Sequence, residues 1–187
     1  MNFNNKGLWI GIVVVVLLVG MLVSGYNGLV RMSENVNGKW SQVENQLQRK
    51  ADLIPNLVST VKGYAAHEQK VMQDVTSARA KLGGAKGPEA KANANEELNG
   101  ALSRLLVVVE SYPNLKANEN FLSLQAELAG TENRITVARQ DYNKVVQEYT
   151  TYTQQIPGKM WASMFGFEKK EYFKASEEAK KPVKVEF

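Results

Sequence analysis

His67 is the one histidine of the sequence, and there is no cysteine. A single imidazole cannot build a two-histidine metal site or a relay of imidazoles within one chain. The missing thiols remove disulfides, thiolate catalysis, lipid attachment through sulfur, and cysteine-held zinc or iron–sulfur centres. Glu68 follows His67, but neighbouring helical residues point about 100° apart, so the two do not share a face. Gly83-Gly84-Ala85-Lys86-Gly87 invites comparison with a phosphate cradle. It follows a helical pattern instead of a strand and lacks the Gly-Lys-Ser/Thr ending, so it reads as a helix stop. No nucleophile elbow is present. The residues therefore assign no catalytic group, cofactor or metal ligand, and the expectation is a non-enzymatic protein.

Lys50 and Glu68 are more informative because they interrupt an apolar seam. Val36, Trp40, Val43, Leu47, Ile54, Leu57, Val61, Tyr64, Val71, Val75, Ala78 and Leu82 alternate steps of 4 and 3 once Lys50 and Glu68 fill two positions, which is a heptad pattern. An inward charge costs several kcal/mol unless it is paired. Asp52, Glu132, Arg139 and Asp141 are the candidate partners. One reading is that the seam charges fix helix register; the other is a ligand-binding pocket around Lys50, Asp52, Glu68 and Arg139.

The elements that would position these groups are helical. The first seam predicts one helix from Arg31 to Leu82, bent or briefly interrupted at Pro55. Gly83–Pro88 ends it and starts a second helix, frayed over Glu89–Glu97 and firm from Leu98 to Glu110. Ser111-Tyr112-Pro113-Asn114 breaks that helix. A third runs from about Asn118 to Gln155 on Phe121, Leu124, Leu128, Thr131, Ile135, Ala138, Tyr142, Val145, Tyr149, Tyr152 and Ile156. Trp161, Phe165, Phe167, Tyr172 and Phe173 follow and are expected to cap the far end of the bundle, the alternatives being a partner surface or a second membrane contact. The fold class expected is all-α: one N-terminal transmembrane helix, then an elongated antiparallel bundle of three long helices plus a short C-terminal segment.

Gly7–Val30 carries no charge, and Gly7 to Gly25 is 19 residues, about 28 Å of helix, close to the hydrocarbon thickness of a bilayer. This is longer than the apolar region of a cleaved signal, the rival reading suggested by Val23-Ser24-Gly25. The expected organisation is a flank at 1–6, a membrane anchor at 7–30, a helical bundle at 31–174 and a charged, fraying tail at 175–187. Of 23 Lys and Arg, against 19 Asp and Glu, only Lys6 precedes the anchor. The small excess beyond it is spread thinly, and nucleic acid is set aside as a partner. Lys6 on one side of the span faces Arg31 and Lys39 on the other, nearly a balance. The expectation is an uncut signal anchor with the bundle outside the cytoplasm.

Tyr26-Asn27-Gly28-Leu29-Val30, Arg49-Lys50-Ala51-Asp52-Leu53-Ile54-Pro55-Asn56-Leu57-Val58, Val61-Lys62-Gly63-Tyr64, His67-Glu68 and Glu110–Ala117 resemble the LemA family. So do Thr131-Glu132-Asn133-Arg134-Ile135, Ala138-Arg139, Asp141-Tyr142-Asn143, Gly166-Phe167, Tyr172-Phe173 and Pro182–Phe187. Thr150 and Ile156 stand where that family often has Asn and Phe. The resemblance covers nearly the whole chain. It implies a single-pass protein of bacterial envelopes with a helical extramembrane domain, and no defined reaction. A related branch associated with magnetosome formation brings in membrane shaping by analogy.

Helices of unequal length suggest an apolar stripe, Val36, Trp40, Val43 and Leu47, left for a second copy to cover. The expected function is thus a membrane-anchored scaffold or adaptor, held by the lipid bilayer through residues 7–30, self-assembling, and available to other envelope proteins. The alternatives are a ligand-sensing domain or enzyme using the polar pocket, and a membrane-shaping protein.

Overall fold

The computed structural model describes residues 3–174. The tail expected at 175–187, with the Pro182–Phe187 part of the resemblance, lies outside them. Among the described residues six helices follow in order: α1 (Phe3–Lys62), α2 (Gln69–Gly84), α3 (Pro88–Val109), α4 (Pro113–Lys116), α5 (Glu119–Gln154) and α6 (Gly158–Phe165). No strand occurs among the described residues.

Two departures from the expected elements have clear causes. The seam helix does not run to Leu82: α1 ends at Lys62 and α2 starts at Gln69. Gly63 is a poor helix residue, and continuing the helix would drive the Glu68 carboxylate into the seam. Instead Glu68 sits ahead of α2 and accepts a hydrogen bond from the Tyr112 hydroxyl at 3.0 Å. Ala65 takes the buried position while Tyr64 is left 45% exposed. Secondly, Pro55 does not interrupt α1. Its ring removes the N–H that would reach the carbonyl of Ala51 four residues back. Arg79 of α2 supplies the missing donor, its Nε lying 2.7 Å from that carbonyl oxygen.

At α3 the expected start and stop are found, with Gly87 at φ +82° before Pro88 in the first turn. The helix is firm through the Ala- and Asn-rich stretch, because Ala92, Ala94 and Asn95 are buried small residues that let it pack closely. α5 ends at Gln154, so Ile156 leaves the seam and is 80% exposed.

The chain forms two compact units. One holds the residues up to Gly38 together with Lys144–Lys170. In it, α1 begins with an apolar stretch whose best 18-residue window has mean hydropathy 2.7 and no burial, long and apolar enough to cross a bilayer. Leu8–Val23 is followed by buried Gly25 and Leu29. Gly25 is seated against the Trp161 indole so closely that a Cβ would lie 2.6 Å from its Nε1. The rings of Phe165 and Phe167 meet Tyr26 edge-on at 5.0 and 6.0 Å. α6 closes on Gly166 at φ +69°, with the amides of Gly166 and Phe167 both bonded to the Ala162 carbonyl. After it the Tyr149 hydroxyl donates to the Glu168 carbonyl at 2.8 Å.

The second unit comprises Lys39–Asn143 and the residues from Glu171 on. Its core is Val43, Leu47, Ile54, Leu57 and Val61 of α1, Val75, Ala78 and Leu82 of α2, Leu98 and Leu105 of α3, Leu115 of α4, and Phe121 and Ile135 of α5. Polar pairs run along α1 and α5, Lys39 with Asp141, Arg49 with Glu127 and Lys50 with Glu132, and just beyond the two helices the Tyr64 hydroxyl meets Asn118. The backbone around Phe173 is held by Asn143, whose Oδ1 accepts the Phe173 N–H at 2.9 Å while its Nδ2 donates to the Phe173 carbonyl at 3.0 Å.

The stripe proposed for self-association is not left over. Val36, Val43 and Leu47 are 2%, 0% and 1% exposed within one chain, and half-buried Trp40 packs on the rings of Tyr142 and Phe173. The aromatic segment is likewise no cap at the far end. Trp161, Phe165 and Phe167 pack where the apolar stretch of α1 ends, and Phe173 is buried against Trp40. The expected bundle allowed for α5 beside α1 but not for a segment after α6 that supplies further cover.

Candidate functional site

The most unusual side chain of the second unit is Lys50, 2% exposed in the last third of α1. Heptad spacing turns it inward, between Leu47 and Ile54, where an unpaired ammonium would be costly. Its three N–H donors meet three oxygens: Asn95 Oδ1 at 2.8 Å, Asn99 Oδ1 at 2.5 Å and Glu132 Oε2 at 2.6 Å. Asn95 and Asn99 are one turn apart on α3 and face Lys50 together, while Glu132 comes from α5. Asn99 Nδ2 also reaches the second Glu132 oxygen at 3.4 Å. One charge thereby ties three helices at a fixed register.

Beside this node lies a cleft of ≈280 Å³ between α1, α3 and α5. Leu57, Leu102, Leu105, Leu106 and Leu128 form its apolar walls, and Lys50, Asn99 and Glu132 its polar floor. The Glu132 side chain is 40% exposed, and its carboxylate is the charged group best placed to meet a visitor.

The other sequence candidates lie elsewhere. Asp52 is two residues from Lys50, hence about 200° round the helix; it is exposed and accepts from Gln48 at 2.8 Å. Glu68 is bonded to Tyr112, which raises the Tyr112 phenol above its ordinary pKa of 10.0 through that hydrogen bond. Half-buried Arg139 lies two turns along α5 from Glu132, and Asp141 pairs with Lys39 at 2.8 Å. His67 is exposed in the turn between α1 and α2. Among the described residues no group of three His, Cys, Asp or Glu could hold a metal ion.

The residues missed from sequence are the two amides and Arg79. Asn95 and Asn99, four apart on an Ala-rich helix, are a signal that could have been matched to a seam lysine. Arg79 answering Pro55 could not, because only the fold brings α2 to Ala51.

The tyrosine stripe of α5 also acts through its hydroxyls. Tyr142 donates to the Glu171 carbonyl at 2.7 Å, and burial, helped by the Glu171 carboxylate, pushes its phenol up to about 12. Burial, with the Glu168 carboxylate second, likewise raises Tyr149.

A family model described as the LemA family matches residues 39–187. The chain belongs to the LemA family. Among curated relatives it is similar to the magnetosome proteins MamQ 1 and MamQ 2 of Paramagnetospirillum magneticum, each 27% identical over 93% of this chain and 74% of the relative. Protein LemA of Metamycoplasma hominis is 22% identical over 78% of this chain and 71% of its own length. In this LemA-family chain the motifs behind the resemblance do mechanical work. Lys50 and Glu132 share the node, Pro55 creates the carbonyl that Arg79 occupies, Tyr142 and Asn143 hold backbone at 171 and 173, and Gly166 closes α6.

Proposed function

We propose that this LemA-family protein is a non-enzymatic, membrane-tethered helical scaffold of the bacterial envelope, with α1 crossing the bilayer once through residues 7–30. The observation that carries this reading is the saturation of Lys50. A catalytic or ligand-binding lysine keeps a donor or a lone pair for its substrate, whereas here all three donors are spent on Asn95, Asn99 and Glu132. A register pin is what such an arrangement supplies. The order of the α1–α5 pairs, with Lys39 meeting Asp141 while Arg49 and Lys50 further along α1 meet the earlier Glu127 and Glu132 of α5, supports an antiparallel pair of helices as the frame of that scaffold.

The partners are proteins of the same membrane, further copies included. Since the heptad stripe is already covered, contacts must use other surface, such as exposed Val107 of α3, Leu122 of α5 and Val137 of α5. Photo-crosslinking from Val107 and Val137 in native membranes is expected to give discrete protein adducts. Sedimentation of the full chain in detergent measures self-association. Absence of any adduct from several such positions, with a monomer in detergent, would count against the scaffold. On this reading the extramembrane domain lies outside the cytoplasm, and protease accessibility in spheroplasts tests that side.

The cleft beside Glu132 favours a second reading, a sensor for a small amphipathic molecule. Native mass spectrometry of protein purified without additives separates the two: a retained molecule lost on Leu105→Trp supports the sensor. Similarity to proteins named for the magnetosome supports a membrane-shaping role, for which vesicle deformation by the full chain is the measurement.

A further inference from the structure

We infer that α6 is a second membrane element, lying in the interface of the same bilayer that α1 crosses and burying Met160, Met164 and Phe165 among lipid headgroups and upper acyl chains. The inference rests on the reading of Leu8–Val23 as the spanning stretch, and everything it uses lies within the first compact unit.

The position of α6 is set by α1. Trp161 packs on Gly25 and Phe165 on Tyr26, two and three residues beyond Val23, hence about 3–5 Å along the helix axis from the last residue of the apolar stretch. A helix held at that height stands where hydrocarbon gives way to headgroups. Among the described residues of this unit, the large apolar side chains exposed beyond Val23 are Tyr26, Ile156, Met160, Met164 and Phe165, all but Tyr26 in α6 or within two residues of it. Met160 and Met164, 55% and 61% exposed, are four residues apart and so share one face of α6. In water such a face would be a standing cost, whereas at the boundary of a bilayer it is buried by lipid. The flanks suit the same place. Exposed Lys159 can stretch its ammonium toward phosphates, and Tyr26 with Trp161 are the residue types enriched at membrane–water boundaries.

The occupant is lipid, not another copy, because the patch continues an apolar surface already committed to the bilayer. The absence of cysteine makes the test direct. Single variants Leu18→Cys, Met160→Cys, Met164→Cys and Val107→Cys of the full chain, each carrying a nitroxide, are placed in vesicles of phosphatidylethanolamine and phosphatidylglycerol. Collisions with oxygen, which concentrates in lipid, and with a water-soluble nickel chelate are compared. At Met160 and Met164 the nickel collision rate is expected to fall several-fold below that at Val107, with an oxygen-to-nickel ratio between those of Val107 and Leu18. A ratio at both α6 positions equal to that of Val107 overturns the inference while a lipid-like Leu18 leaves the span intact. Exclusion of both reagents from α6 means a protein cover and also overturns it. A water-like Leu18 removes the span and the inference together.

Discussion

Lys50 is buried like a leucine and bonded like a surface ion, and that combination fixes what its removal does. Lys50→Ala leaves Asn95, Asn99 and Glu132 facing a void without their common donor, and a loss of about 3–5 kcal/mol is expected for a broken buried ion pair, read from urea unfolding. Glu132→Gln keeps an oxygen acceptor and should cost clearly less; equal losses would show that charge, not hydrogen bonding, holds the node. Tyr142 gives a pH signature. Its phenol, held up to about 12 by burial and the nearby Glu171 carboxylate, stays protonated in the folded chain while the unfolded chain releases its proton from 10.0 upward. The stability this adds is complete below pH 10 and drains away as pH climbs toward 12. Tyr142→Phe should flatten that part of the decline, measured as the denaturation midpoint against pH. Of this chemistry the sequence displays the inward lysine and Glu132 as a possible partner. It cannot display Asn95 and Asn99, since nothing local says which face of α3 meets α1.

Periodicity locates the helices because each must bury one stripe, and the stops at Gly83–Pro88 and Ser111–Asn114 are written in backbone chemistry. The break at Gly63–Glu68 is less legible: a charged residue on a seam looks the same whether the helix carries it inward or ends to spare it. Pro55 was equally ambiguous, since the kink expected from its missing N–H depends on whether another donor arrives. A double-mutant cycle reads that donor. Arg79→Ala in the parent should cost about 1–3 kcal/mol for the orphaned Ala51 carbonyl. In a Pro55→Ala background the loss should shrink, because the restored amide fills the same acceptor. Strict additivity would mean the Arg79 bond does not stand in for the amide that Pro55 lacks. Gly158 is a second element-level constraint: a Cβ there would lie 2.1 Å from the Tyr152 carbonyl oxygen. Gly158→Ala must therefore displace α6, seen as a changed Trp161 emission spectrum, whereas Gly83→Ala, with open space around it, should leave the fold unmoved.

For the chain as a whole, the exposed apolar stretch of α1, long and apolar enough to cross a bilayer, is the controlling feature. Val16→Arg near its centre should weaken insertion by about 2.5–3.5 kcal/mol on translocon scales, read as protein released by alkaline carbonate, while Val107→Arg on α3 should release none. The class of fold, the long apolar stretch and the family are all legible in the residue order, because apolar runs and heptads are local signals. Which greasy stripe stays uncovered is not, since that depends on where the chain after α5 travels. Its return past Tyr142 and Asn143 has a consequence for how such a sequence can change. Those two side chains grip only the carbonyl of Glu171 and the amide and carbonyl of Phe173, groups that every residue but proline carries alike. The spelling at 171 and 172 can therefore drift without loosening the clasp, while one inserted letter between them throws it out of step.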